Sequence, residues 1–197
     1  GNNTALGDQC LAANTTASDN VGVGKDALAA NTTGVENTAV GATALDANTT
    51  AEGNSAFGKG ALTSNTTGDS NTSVGTSSMQ LNTTGANNVA VGNQALKANT
   101  TASDNTAVGF KSLLSNTTGT VNVAMGAIAL NGNTTGSNNT GIGRFALGNN
   151  TTANNNTAVG YNSLKENTTG TQNVAVGAIA LDANTTGTPC TAVGYGA

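Results

Sequence analysis

The segment NTAVGATALDANTTAEG, from Asn37 to Gly53, is one copy of a repeat that occupies the whole chain. Its first residue recurs at intervals of 17 residues, with no insertion or deletion between copies. A strict period of this kind is typical of solenoids, in which each repeat forms one unit that stacks on the next. We number the repeat positions 1 to 17 from Gly1, which divides the 197 residues into about 11.6 coils. The asparagine at repeat position 3 is present in eleven copies: Asn3, Asn20, Asn37, Asn54, Asn71, Asn88, Asn105, Asn122, Asn139, Asn156 and Asn173.

Repeat positions 4 to 6 predict a short β-strand in every copy. Position 4 holds Thr, Val or Ser, position 6 holds a large apolar residue, and position 5 between them is always Ala, Gly or Ser. Alternation with a period of two in a run rich in β-branched residues favours a strand. We expect the side chains at positions 4 and 6 to point inward. The small residues at positions 5 and 10 would then lie outside, where they either relieve crowding or form a packing face for other chains.

The rest of each copy predicts a corner, a second apolar anchor and a return turn. Glycine occupies position 7 in all copies, and Leu or Met occupies position 11. We expect the position-11 side chain to point inward from a second strand or an extended edge. Asn-Thr-Thr at positions 14 to 16, followed by small and polar residues, is typical of a turn.

These features predict an all-β fold, a single continuous parallel β-solenoid over residues 1–197, uncapped at both ends. A helical solenoid is disfavoured, because 17 residues are too few for a helix pair and Gly, Asn and Thr are poor helix formers. Coils that stack at roughly 4.8 Å would give a rod on the order of 50 to 55 Å long. Stacked apolar side chains and ladders of asparagine amides, at position 3 and at position 14, would hold its interior together.

The Asn-Thr-Thr segments also match the N-glycosylation sequon. A glycan on every coil would need more room than a spacing of roughly 4.8 Å provides. We therefore favour an asparagine ladder at these positions, with glycans on some coils as the alternative. The asparagines concerned are Asn14, Asn31, Asn48, Asn65, Asn82, Asn99, Asn116, Asn133, Asn150, Asn167 and Asn184.

The two threonine columns that follow, Thr15 to Thr185 and Thr16 to Thr186, raise the hypothesis of ice binding. Solenoid surfaces of that kind use two outward ranks of threonine on one strand face, two residues apart. Adjacent residues of an extended chain face opposite ways. Only one of the two columns can therefore face outward, which makes ice binding the third of our functional hypotheses.

Composition and charge argue against several other classes of protein. Charged residues make up 8% of the chain, the net charge is −4, and histidine is absent. The chain has no basic stripe for nucleic acid and no apolar run long enough to insert into a membrane. Its carboxylates, such as Asp8, Asp26 and Asp46, fill no regular column. We therefore predict no catalytic residue, no cofactor and no metal site.

The two cysteines each replace the usual residue of their repeat position in a terminal coil. Cys10 stands where other coils have Ala or Ser, and Cys190 stands at the asparagine position 3. They lie more than ten coils apart, roughly 50 Å along the rod, whereas a disulfide needs Cα atoms about 4.4 to 6.8 Å apart. An intrachain bond is excluded in a solenoid. We expect Cys190 of one subunit to bond Cys10 of the next, and two free thiols are the alternative.

The segments NTAVGYNSLKENTTGTQNVAVGAIAL, from Asn156 to Leu181, and NTAVGATALDANTT, from Asn37 to Thr50, resemble repeat tracts of phage tail fibres and bacterial surface proteins. More distantly, their T-A-V-G and V-A-V-G motifs look like the S-V-A-I-G motif in the heads of YadA-like trimeric autotransporter adhesins. The resemblance implies a left-handed β-roll, commonly trimeric, in an extracellular attachment protein. It transfers no catalytic residue.

Together these observations predict a non-enzymatic, extracellular structural protein. The first hypothesis is a subunit that stacks head to tail into a homopolymer, because open solenoid ends expose unpaired strand edges. The alternative is the shaft of a trimeric adhesin or tail fibre, associated side by side and serving attachment to a surface glycan or receptor.

Overall fold

The computed structural model describes residues 1–197 and confirms a parallel β-solenoid without helices. Twelve strands of three residues form one sheet in sequence order, and all neighbouring strands are parallel. Paired residues are one repeat apart, as Thr38 and Ser55 show. The strands are β1 Thr4–Leu6, β2 Val21–Val23, β3 Thr38–Val40, β4 Ser55–Phe57, β5 Thr72–Val74, β6 Val89–Val91, β7 Thr106–Val108, β8 Val123–Met125, β9 Thr140–Ile142, β10 Thr157–Val159, β11 Val174–Val176 and β12 Thr191–Val193.

The second strand expected around position 11 is absent, and positions 8 to 13 form a series of turns instead. In a central coil, Asp104 at position 2, Lys111 at position 9 and Leu113 at position 11 have φ angles of 62°, 55° and 49°. The same three positions are left-handed in nearly every coil. Left-handed residues reverse the chain within a few bonds, which an extended second strand would not do. The coil therefore closes on itself with one strand.

The orientation expected for the strand residues is wrong. Ala107 at position 5 is fully buried, whereas its neighbours Thr106 and Val108 at positions 4 and 6 are partly exposed. Position 10, also expected outside, is buried as well, as Ala129 shows. The inward anchor at position 11 is confirmed, since Leu113 has no exposed area.

The narrow bore of the coil explains this reversal. The leucines of position 11 fill the interior and pack against the inner side of the sheet, so that only small side chains fit at position 5. Gly141 shows how tight the space is, because a Cβ added there would lie 3.3 Å from Cγ of Leu130. Large side chains at positions 4 and 6 have no room inside and face outward. The core is a column of leucines and alanines that runs the length of the rod.

Two asparagine ladders run beside this column. At position 3, the backbone N–H of Asn122 donates to Oδ1 of Asn105 in the coil below, at 3.0 Å. At position 14, Nδ2 of Asn116 donates to Oδ1 of Asn99 at 3.1 Å. The carbonyl of Gly119 accepts from Asn105 and from Asn116, both at 2.9 Å. Nearly every coil is thus closed across its interior by one carbonyl that two amides share, and the amides also tie it to a neighbouring coil.

Candidate interaction surface

The outer side of the sheet is an exposed apolar surface, which we call the outer sheet face and define as repeat positions 4 and 6 of all coils. Ten of the fifteen exposed large hydrophobic side chains lie on it. Even mid-rod, Val91 is 36% exposed, Phe57 41% and Met125 43%. Monomeric proteins rarely leave so long a row of apolar side chains in water, and such rows mark interaction sites.

No charged residue occurs at position 4 or 6 in any coil. Position 4 holds threonine or valine in every coil except one, which has Ser55, and position 6 is always a large apolar residue. The face is also geometrically regular, because its strands pair without a bulge in a constant register. An uncharged and periodic face suits a partner that is itself periodic.

Charged residues lie on both sides of this face and are sorted by sign. Positions 1 and 2, which precede the strand, carry five carboxylates and no cation, and we call them the acidic flank. Positions 8 and 9, which follow the glycine corner, carry four cations and two carboxylates, and we call them the cationic flank. The acidic flank contains Asp19, Glu36, Glu52, Asp69 and Asp104. The cationic flank contains Lys25, Lys59, Lys111 and Arg144, together with Asp8 and Asp26.

Few of these charges are paired within the chain. The only ion pairs join neighbouring residues, Lys25 with Asp26 at 3.6 Å and Lys165 with Glu166 at 2.8 Å. A hydrogen bond from Lys165 holds the pKa of Glu166 below its usual value, and the same bond raises the pKa of Lys165. Lys111 lies 5.1 Å from the centre of the Phe110 ring, and Arg144 lies 4.7 Å from that of Phe145. Lys59, Lys111 and Arg144 form no ion pair within the chain and are therefore free to meet a partner's carboxylates.

The sequon asparagines lie inside the coil. From Asn31 to Asn167 they have no exposed area, and their Nδ2 atoms donate hydrogen bonds. Nδ2 is the atom that would carry an N-linked glycan. In a folded inner coil, a glycan would have to replace the ladder bonds and leave the interior. Only Asn14 and Asn184, in the end coils, are partly exposed.

The threonine columns differ from each other in exposure. At position 15, each hydroxyl donates to a carbonyl of the next coil, as from Thr117 to the Thr134 carbonyl at 3.0 Å. At position 16, the side chains are exposed, as at Thr118. One outward threonine rank results. The pair of outward ranks that does exist is at positions 4 and 6, where Phe57 and Met125 make side-chain sizes uneven.

The two cysteines are free thiols in this single chain. The Cys10 side chain points inward, packs against the leucine–alanine column and occupies the space left by the missing side chain of Gly22. Cys190 takes the last place in the position-3 ladder, where its backbone N–H donates to Oδ1 of Asn173 at 2.8 Å. Both are partly buried, so a bond between subunits would require the terminal coils to open toward each other.

The rod has no concave pocket, and nowhere do three or more His, Cys, Asp or Glu side chains converge on a common point. No helix has the length and hydropathy needed to cross a membrane. Comparisons with protein-family models, with characterised proteins and with solved structures find no match.

The outer sheet face was missed by sequence reasoning, although a signal for it was present. Seventeen residues enclose a narrow interior, and a large residue at position 11 already recurs in every coil. Three large side chains per coil are more than such an interior holds at normal packing density. The invariably small residue at position 5 was the sign of the buried side.

Proposed function

We propose that this chain is a structural rod that associates side by side with copies of itself through the outer sheet face, as the shaft of an extracellular attachment fibre. The observation that carries the proposal is the uncharged apolar face that runs along the whole sheet. Side-by-side association takes precedence over head-to-tail stacking, because it rests on a surface that every coil presents. The extracellular and attachment roles rest on the resemblance to adhesin heads and tail fibres.

A second copy of the chain is the partner that fits this face best. The face repeats at the coil spacing of roughly 4.8 Å over eleven intervals. Another stack of β-strands has this same spacing and keeps its side chains in step over such a distance, and a second copy of this chain provides one. Two unlike surfaces would match at one coil and clash a few coils further on.

The size of the face also bears on the proposal. Three residues of strand are about 10 Å wide and the sheet is on the order of 50 Å long, which gives on the order of 500 Å² per rod. A stable interface buries roughly 800 Å² on each partner. The acidic and cationic flanks must supply the remaining buried area, so that association involves residues on both sides of the sheet.

Sedimentation analysis of two paired variants tests the proposal. Val91→Asp combined with Val108→Asp places charges in the middle of the outer sheet face, where association would bury them without partners. Thr101→Asp combined with Thr118→Asp places the same charges at position 16, away from that face. We expect the wild type and the position-16 variant to be oligomers, and the face variant to sediment as a folded monomer of 19.0 kDa.

Circular dichroism of the face variant separates lost association from lost folding. A wild type that remains at 19.0 kDa at the highest soluble concentration would overturn the proposal. So would equal dissociation of the face and position-16 variants. Thermal hysteresis of the same wild-type sample tests ice binding, the remaining use of a regular outward face.

A further inference from the structure

We infer that the associated rods lie parallel and in register around an axis parallel to their length, with the cationic flank of one rod against the acidic flank of the next. This inference rests on the proposed function, because it describes how the side-by-side assembly is arranged. It commits to a second copy of this chain as the partner. The residues that carry it are the charges that border the outer sheet face.

The first observation is the segregation of charge across the strand. The acidic flank has a net charge of −5, since it holds five carboxylates and no cation. The cationic flank has a net charge of +2, since it holds four cations and two carboxylates. The whole chain is acidic, so that a surplus of cations on one side of the sheet is opposite to the average composition.

The second observation is that the charges match coil by coil. Three of the four cations on the cationic flank share their coil with a carboxylate on the acidic flank, and Arg144 is the exception, opposite Ser137 and Asn138. The matched residues are Asp19 with Lys25, Glu52 with Lys59, and Asp104 with Lys111.

These pairs are not satisfied within one chain. The two flanks lie on opposite sides of the strand, and no ion pair joins them. Lys59 and Lys111 have no carboxylate within ion-pair distance at all. Their carboxylate partners must come from another molecule if they are to have any.

The symmetry of the assembly decides whether the cationic flank of one rod faces the acidic flank of the next. A two-fold rotation about an axis parallel to the rods reverses the strand direction between facing sheets, so the cationic flank of each rod meets the acidic flank of its neighbour. In a closed ring of more subunits the strand direction turns by a smaller angle at each contact, and the cationic flank of each rod again meets the acidic flank of the next. A two-fold axis perpendicular to the rods makes them antiparallel and brings like flanks together, +2 against +2 and −5 against −5. Facing like charges disfavour that arrangement.

The register is decided by the charge pairs on both edges of the facing sheets. In register, three pairs form on each edge. A shift of two coils forms three pairs on one edge, Lys59 with Asp19, Lys111 with Asp69 and Arg144 with Asp104, but only Lys25 with Glu52 on the other. It leaves two coils of apolar face uncovered at each end. The in-register arrangement covers the face of all twelve strands, and burial of apolar area therefore favours it.

Disulfide trapping tests the arrangement in a chain whose own cysteines are replaced by the usual residues of their positions, Cys10→Ala and Cys190→Asn. Three pairs of new cysteines report three geometries. Glu52→Cys with Lys59→Cys reports the parallel, in-register rod. Asp19→Cys with Lys59→Cys reports the two-coil shift. Lys59→Cys with Arg144→Cys reports the antiparallel rod, because coil 4 then faces coil 9.

We expect intermolecular cross-links under mild oxidation for the first pair only, since a disulfide forms only between Cα atoms about 4.4 to 6.8 Å apart. Preferential cross-linking of the second or the third pair would overturn the inference and leave the proposed function intact. A wild type that sediments as a monomer would overturn both.

A charge exchange provides a second measurement that needs no cysteine. Lys59→Glu places two carboxylates opposite each other and should weaken association about two- to fivefold at low salt. Adding Glu52→Lys in the same chain restores the pair with its signs exchanged and should recover the wild-type affinity. Equal affinities for all three chains would contradict the flank pairing.

Discussion

Nearly every coil holds three residues in the left-handed region of backbone conformation, at repeat positions 2, 9 and 11, and most of them are not glycine. Leu113 at φ 49° and Ile128 at φ 63° are examples. Such residues cost free energy, because Cβ approaches the backbone. They persist because the ladders and the leucine column fix the coil on all sides. The glycine at position 7 is required for a different reason, because a Cβ there would collide with the backbone of the next coil.

Two glycine substitutions separate these causes. A Cβ at Gly109, position 7, would lie 2.7 Å from the carbonyl carbon of Gly126 in the next coil. Gly53, position 2, has φ 64°, and a Cβ added there would meet only Oγ of Ser70, at an unstrained 3.8 Å. We expect Gly109→Ala to lower the free energy of unfolding by at least about 1–3 kcal/mol. Gly53→Asn should be neutral or raise it by up to about 1 kcal/mol. Urea denaturation measures both, and equal effects would contradict the close contact of corners.

Asp46 gives a residue-level prediction of pH dependence. Partial burial raises the pKa of this carboxyl, and the nearby Asp26 raises it further. The charged form is therefore disfavoured in the fold, which makes the chain less stable as the pH rises through this raised pKa. Asp46→Asn should increase the melting temperature near neutral pH, and the gain should vanish below about pH 3.9.

Asp8→Asn, at an exposed carboxylate in the first coil, is the matched control and should change little. A gain for Asp46→Asn that persists in acid would mean that the amide acts by packing rather than by removing a charge.

At the scale of elements, the sheet and the leucine column contribute to stability in different ways. Leu113 is fully buried in the column, whereas Val108 at the end of β7 is on the outer sheet face. At concentrations that keep the chain monomeric, Leu113→Ala should cost about 2–5 kcal/mol. Val108→Thr should cost much less, because its side chain is already partly exposed to water. Lys97→Ala serves as a surface control. Equal losses for Leu113→Ala and Val108→Thr would place position 6 in the core after all.

The period, the parallel strands, the position-11 anchor and the two asparagine columns were all predictable from the sequence. They depend on residue identity alone, which recurs from coil to coil along the whole chain. The sequence did not predict which side of the strand is buried, because alternation identifies two faces without indicating which of them is inside. The second strand was also mispredicted, since leucine rarely adopts positive φ and nothing local in A-L-x-x-N announces it.

Within the candidate surface, the apolar columns were visible in the sequence but assigned to the interior. The flanks were overlooked for another reason. Positions 1, 2, 8 and 9 vary from coil to coil, and the charges at these positions do not form a column of one residue type. Their signs separate only when the coils are superposed and the two sides of the strand are compared.

At the scale of the whole molecule, the cysteines remain the test of axial joining. If Cys190 of one rod bonds Cys10 of the next, non-reducing electrophoresis should show a ladder of multimers that collapses to 19.0 kDa on reduction. Both thiols are partly buried and Cys10 points into the core. A monomer band without reductant would therefore mean that the terminal coils stay closed. Cys10→Ala should abolish the ladder without affecting side-by-side association.

The sheet and the coil-to-coil bonds of the ladders share one direction, along the rod. A tension applied to the two ends loads these bonds in series rather than all at once. Each coil that peels away releases 17 residues, about 60 Å of extended chain. In an optical trap, a single rod should lengthen in equal steps at nearly equal force, and one abrupt rupture would contradict this. A fibre built from such rods would extend gradually under tension and remain attached while it lengthens.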